Sequence, residues 1–242
     1  MHIQRPKTEH VMIGEIPALL VTPQREGPHP TMIFYHGWNS TKERNLIRGE
    51  IFAHYGFQVL LPDAPHHGER GSLDYDDEEI MAKYFFAVVM GEIEEYESLY
   101  GYLKENTNMD EDHFFLCGHS MGAILSGALV ATREELTGAI PYNGCWDWEE
   151  LAKSWNVTLP EEAKKALDTY NPANHKEGLE NKILLVANGE EDPTVPPLIQ
   201  KAFIESLSMK EGKAEVSLFE KTTHVITTNM IAWSLDELEK IL

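Results

Sequence analysis

The five residues Gly118-His119-Ser120-Met121-Gly122 constrain this chain more than any other stretch of it. An apolar, strand-like run, His113–Cys117, leads into them, and a helix-like run, Met121–Thr132, leaves without a break. A strand that gives way to a helix at once needs a sharp turn with a strained central residue. Glycines two positions either side make room for it, because side chains there would collide with the turn. The serine hydroxyl is then projected above the strand's carboxyl end.

The rest of the chain repeats the same alternation. Val11–Ile13 and Ile16–Val21 are two short strands around Gly14-Glu15, a pair suited to a hairpin turn of the mirror-image type. Thr31–Tyr35 is a buried strand, followed by a helix over about Lys42–Tyr55, a strand Phe57–Leu61 and a long helix Asp77–Lys104 with acidic residues at its start. Beyond the serine turn come a strand Gly138–Tyr142, an irregular stretch from 143 to 178, a strand Lys182–Ala187, a helix Pro196–Ser208, a strand Ala214–Phe219 and a closing helix Ile226–Leu242. Strands alternating with helices imply an α/β fold, a mostly parallel sheet covered on both faces. With 242 residues, no repeat and no Gly/Ser-rich linker, the chain reads as one domain, 1–242.

A serine hydroxyl is a poor nucleophile unless a histidine takes its proton and a carboxylate orients that histidine. Asp192 stands in the turn after the strand Lys182–Ala187, where open α/β sheets place their ligands, with Glu191 its nearest rival. His224 is the only one of the 11 histidines after the strand Ala214–Phe219. Ser120, Asp192 and His224 are therefore the expected catalytic triad. His119, next to the serine, points elsewhere on such a turn and is assigned to packing. Acyl transfer also needs N–H donors for the developing oxyanion. Met121, directly after the serine, and Trp38, in the loop His36-Gly37-Trp38-Asn39-Ser40, are the candidates, each through its backbone N–H.

Twenty basic against 40 acidic residues leave a net charge of −20, which repels nucleic acids and anionic lipid surfaces. Neither partner is expected, and the oligomeric state is not readable. No apolar run reaches membrane length and no secretory signal is visible at the N-terminus. The two cysteines, Cys117 and Cys145, fit no disulfide framework or zinc pattern. They read as core residues of a cytoplasmic protein, and no metal ligands are assigned.

The pieces Tyr35-His36-Gly37-Trp38, Gly118–Gly122, Gly189–Pro196 and His224 resemble the α/β-hydrolase superfamily over essentially the whole chain. Within it the chain is similar to small bacterial serine esterases grouped with dienelactone hydrolases and the catalytic domain of prolyl oligopeptidases. Leu61–Arg70 and His224–Thr227 support that subgroup. The resemblance implies an eight-stranded, mostly parallel sheet, no cofactor, and the same triad and oxyanion donors. It departs at Asn188, where relatives commonly carry histidine, and at Lys221-Thr222-Thr223, which lacks the glycine often found before the histidine.

The expected activity is a carboxylesterase acting on small esters through an acyl-enzyme on Ser120. Thioesters, lactones or short peptides are alternatives for the same triad, and a non-catalytic binding protein is a further one. The 143–178 stretch, with Trp146, Trp148, Trp155 and Tyr170, stands where such folds carry a cap. Its tryptophans either line a substrate pocket, with Trp146 the candidate, or form the insert's own core. Asp63, His66, His67 and Arg70 read first as a polar turn network on the same face.

Overall fold

The computed structural model describes residues 5–156 and 161–242. In chain order the elements are β1 (Lys7–Ile13), β2 (Ile16–Thr22), β3 (His29–Tyr35), α1 (Lys42–His54), β4 (Gln58–Pro62), α2 (Glu78–Asn106), β5 (Met109–His119) and α3 (Met121–Thr132). They continue with β6 (Gly138–Tyr142), α4 (Trp148–Ser154), α5 (Glu161–Tyr170), β7 (Ile183–Gly189), α6 (Pro197–Glu205), β8 (Lys213–Phe219) and α7 (Thr228–Glu239). One eight-stranded sheet runs in the order β1-β2-β4-β3-β5-β6-β7-β8. β2 is antiparallel to β1 and β4, and every other pair is parallel.

Alternate residues of each central strand face opposite sides of the sheet. Ile33 and Tyr35 of β3 join one core with residues of α2 and α3, among them Val89, Ile93, Ile124 and Leu125. Met32 and Phe34 join a second core with Phe52 of α1 and Leu235 of α7. Strands buried on both faces read as continuous apolar runs, which is why β3, β4, β6 and β7 stand out in the sequence.

Local chemistry sets the ends of the elements. The Asp77 carboxylate accepts from the N–H groups of Glu79 and Ile80 and so caps α2. Thr227 does the same for Met230, starting α7 two residues later than the sequence suggests. β5 starts four residues earlier than expected. Just after its first residue, Met109, comes Asp110-Glu111-Asp112, a charged run that hides the strand, and a register shift between Pro30 and Thr31 accommodates it.

Sequence order reverses between β3 and β5, since the chain leaves β3 for β4 on one side and returns to β5 on the other. At such a switch point the loops beyond the carboxyl ends diverge and leave a crevice. Tyr35 pairs with Gly118 there, so the loops carrying Trp38 and Ser120 emerge side by side.

Candidate active site

Ser120 has φ 54° and ψ −114°, a backbone state that non-glycine residues rarely adopt. Its surroundings enforce it. A Cβ at Gly118 would lie 2.5 Å from the Gly122 carbonyl carbon, and one at Gly122 would lie 2.2 Å from the Tyr35 oxygen. Ser120 N–H donates to Tyr142 O (3.0 Å), tying the turn to β6.

The three expected side chains meet. His224 Nε2 lies 2.8 Å from Ser120 Oγ, and His224 Nδ1 lies 2.6 Å from Asp192 Oδ2. The carboxylate can only accept, so the ring proton sits on Nδ1 and Nε2 presents a lone pair to the serine. The other Asp192 oxygen accepts from Thr194 N–H (2.8 Å) and Val195 N–H (3.0 Å). Burial alone would raise the Asp192 pKa. The hydrogen bonds from His224 and from the Val195 and Thr194 amides outweigh it and hold the carboxyl below its ordinary 3.8. Glu191, the rival acid, is exposed. His119 packs beside the triad, its ring 5.0 Å from that of His224, and burial lowers its pKa to about 3, which keeps it neutral.

Three residues set this geometry, and one of them, Asn143, the sequence did not single out. Gly189 lets the loops of Asp192 and His224 touch, since a Cβ there would lie 2.4 Å from the carbonyl oxygens of both Thr222 and Thr223. Lys221, in the left-handed region at φ 53°, makes the turn ahead of His224 without a glycine. Asn143, buried and at φ 52°, staples three loops. Its Oδ1 accepts from Gly189 N–H (2.8 Å) and its Nδ2 donates to Val225 O (3.0 Å), one residue past His224. An Asn-Gly pair at a strand end is the sequence signal that marks it.

The candidate oxyanion donors flank the serine. Met121 is the first residue of α3, so its N–H has no partner within the helix. A Cβ on Gly37 would lie 3.4 Å from the Ser120 Cβ, which puts the loop holding Trp38 against the nucleophile turn.

Ser120 and His224 open into a cavity of about 850 Å³. Trp38, Met81, Phe85 and Trp155 supply its apolar wall, and Asp76 and Glu78 its charged groups. Trp146, the candidate from the sequence, is not part of that lining. It is fully buried, its indole N–H donates to Ala123 O (2.8 Å), and its ring occupies the space left by Gly127. Trp148 is likewise fully buried. Trp155 is the tryptophan of this stretch that reaches the cavity, with its ring edge-on to Phe85 and its N–H donating to Thr194 O (2.6 Å). Residues 157–160 of the expected cap lie outside the described residues.

Asp63 and Arg70 form the expected polar network. The Asp63 carboxylate accepts from Lys42 N–H (3.0 Å), Lys42 Nζ (2.5 Å) and Glu69 N–H (3.1 Å), while Arg70 pairs with Glu95. Glu43, Asp63 and Glu69 are, among the described residues, the one carboxylate group spaced for a metal ion. Lys42 Nζ bonds all three and fills the position of a cation. Cys117 and Cys145 are free and buried, and burial raises both thiol pKa values. No helix among the described residues is long and apolar enough to cross a membrane.

An eight-stranded sheet with its nucleophile turn at the switch point, and an acid and a histidine after the last two strands, is the α/β-hydrolase fold. TT1662 from Thermus thermophilus has this fold, with a TM-score of 0.84, 25% identity and 98% of each chain covered. Two relatives are each 28% identical over 215 residues. YitV of Bacillus subtilis (strain 168), which carries a provisional esterase name, matches 82% of this chain and 83% of its own. Esterase YjfP of Escherichia coli (strain K12) matches 84% of this chain and 83% of its own. The description "Prolyl oligopeptidase family" matches residues 90–239, more than half of the chain. The chain belongs to that family and is a serine hydrolase.

Proposed function

We propose that this protein hydrolyses small carboxylic esters through an acyl-enzyme on Ser120. The observation that carries the proposal is the pair of contacts joining Ser120 Oγ, His224 and Asp192 beside an apolar cavity. His224 Nε2 removes the hydroxyl proton as Oγ attacks the ester carbonyl, and Asp192 stabilises the resulting imidazolium. The N–H groups of Met121 and Trp38 receive the oxyanion of the tetrahedral intermediate. His224 returns the proton to the departing alkoxide, leaving an acyl group on Oγ. Water, deprotonated by the same histidine, then releases the acid.

Among the described residues the cavity lining carries the carboxylates of Asp76 and Glu78 and neither lysine nor arginine. That supports uncharged esters over anionic ones. The names of YitV and YjfP support an ester over an amide. Residues 143–178 are proposed as an insertion within one domain, with Trp155 its contribution to the cavity wall. The test is a panel of model esters, thioesters, lactones and short peptides with purified protein. Hydrolysis of uncharged esters, abolished in Ser120→Ala, is expected. Turnover confined to peptides would contradict the substrate, and full turnover by Ser120→Ala would contradict the mechanism.

A further inference from the structure

Two histidines outside the triad hold the backbone on either side of Trp38. His36 and His67 are both buried, and neither lines the cavity. The partners of His36 fix its proton position, because a carbonyl oxygen can only accept and an N–H can only donate. His36 Nδ1 donates to Gly37 O (2.8 Å), while its Nε2 accepts from Ala64 N–H (3.1 Å). That ring is therefore neutral, and burial lowers its pKa to about 4. His67 Nε2 lies 2.5 Å from Trp38 O, and its Nδ1 lies 2.8 Å from Pro65 O. Both nitrogens thus face acceptors; burial lowers the His67 pKa and favours a neutral ring, which can donate to one carbonyl only, and we assign that bond to Trp38 O, the nearer of the two.

The Gly37 carbonyl and the Trp38 N–H are opposite edges of one planar trans peptide, so pinning the oxygen aims the hydrogen. Holding Trp38 O as well prevents the next peptide from swinging. The rings stand 5.1 Å apart. His67 is further wedged on Tyr75 (4.7 Å, 24°), whose carbonyl accepts from the Trp38 indole (3.1 Å). The Trp38 carbonyl and indole N–H are thus both held, by His67 and by Tyr75 O.

We propose that His36 and His67 are positioning residues that clamp the carbonyls flanking the Trp38 N–H and hold that donor on the oxyanion. The inference rests on Trp38 being an oxyanion donor, as argued above. A donor fixed in advance needs no reorganisation as charge develops, so the clamp acts on the transition state and not on substrate binding.

Two amide replacements separate the ring nitrogens. His67→Gln keeps a donor near Nε2, facing Trp38 O, whereas His67→Asn keeps one near Nδ1, facing Pro65 O. For His67→Asn, kcat for a model ester falls by about 10–100-fold with KM within about 3-fold, part of the loss for deleting an oxyanion donor. His67→Gln stays within about 3-fold of the wild-type kcat. Affinity for an alkyl trifluoromethyl ketone tracks kcat across the series. In that adduct Ser120 Oγ bonds to the ketone carbon, its proton passes to His224, and the carbonyl oxygen becomes the bound oxyanion. At His36 the order reverses, and Asn, which keeps the Nδ1-position donor, retains more kcat than Gln. Equal kcat for Asn and Gln at both positions, or losses confined to KM, overturns the clamp. If the His67 variants do not fold, the His36 pair decides; if no variant folds, the rings are structural and the clamp is rejected. Wild-type protein that neither cleaves esters nor forms a fluorophosphonate adduct at Ser120 refutes the earlier reading instead. Normal wild-type labelling with a flat variant series refutes the clamp alone.

Discussion

The strand-end loops that hold Ser120, Asp192 and His224 differ in construction from the cavity wall a few residues away. The loops are fixed mainly by backbone, through glycines that admit a neighbouring chain and amide-to-carbonyl bonds such as Glu190 N to Phe219 O and Glu191 N to Thr222 O, with the Asn143 side chain stapling them together. The wall is fixed by side chains from elements far apart in sequence, with Trp38 after β3, Met81 and Phe85 on α2 and Trp155 at the end of α4. Backbone constraints leave short, local signatures, while side-chain walls leave none. In the proposed hydrolysis the difference also separates tasks, the loops acting on the bond that is cleaved and the wall on the substrate that is accommodated.

The largest expected effect falls on the loops. Ser120→Ala lowers kcat by about 10⁴–10⁶-fold while thermal unfolding stays near that of the parent, read by ester hydrolysis and calorimetry. Asp192→Asn lowers kcat by about 10⁴-fold, because an amide no longer dictates which His224 nitrogen carries the proton. The same carboxyl gives a stability prediction with a definite sign. Its folded pKa lies below the unfolded 3.8, so its stabilisation is fully present above that value and fades as pH falls through the lower folded value. The stability gap between parent and Asp192→Asn therefore narrows in acid. A gap that widens would reverse the assigned shift.

Two tryptophans of the 143–178 stretch sharpen the contrast. Trp146→Ala empties a fully buried site and costs about 3–5 kcal/mol of stability, seen as a fall in unfolding midpoint, with no change in the preferred acyl chain. Trp155→Ala has the smallest effect, shifting the ester chain-length optimum with activity changed about 10-fold or less. If the two exchanged these phenotypes, the division between core and wall would fail.

This division also explains what could be read from sequence. The order of the strands was legible because β3, β4, β6 and β7 are buried on both faces and appear as unbroken apolar runs, whereas α4 and α5 fall in the 143–178 stretch that reads as irregular. The meeting of Ser120 with His224 and Asp192 followed from chain order along a parallel sheet, since each residue leaves a strand's carboxyl end. The start of β5 was hidden by Asp110-Glu111-Asp112, since pattern reading treats a charged run as loop. Trp146 was misplaced for a different reason. A tryptophan in an insertion has the same composition whether it faces a cavity or the backbone of α3, and only Gly127, 19 positions earlier, shows which. Asn143 was overlooked because its partners, Gly189 and Val225, lie 46 and 82 residues away.

Active-site mapping by mass spectrometry after fluorophosphonate treatment tests the central claim most directly. One adduct per chain, on the peptide containing Ser120 and absent from His224→Ala, is the expected result. Undiminished ester hydrolysis with no adduct at Ser120, or an adduct that forms as fast without the imidazole at 224, would contradict it.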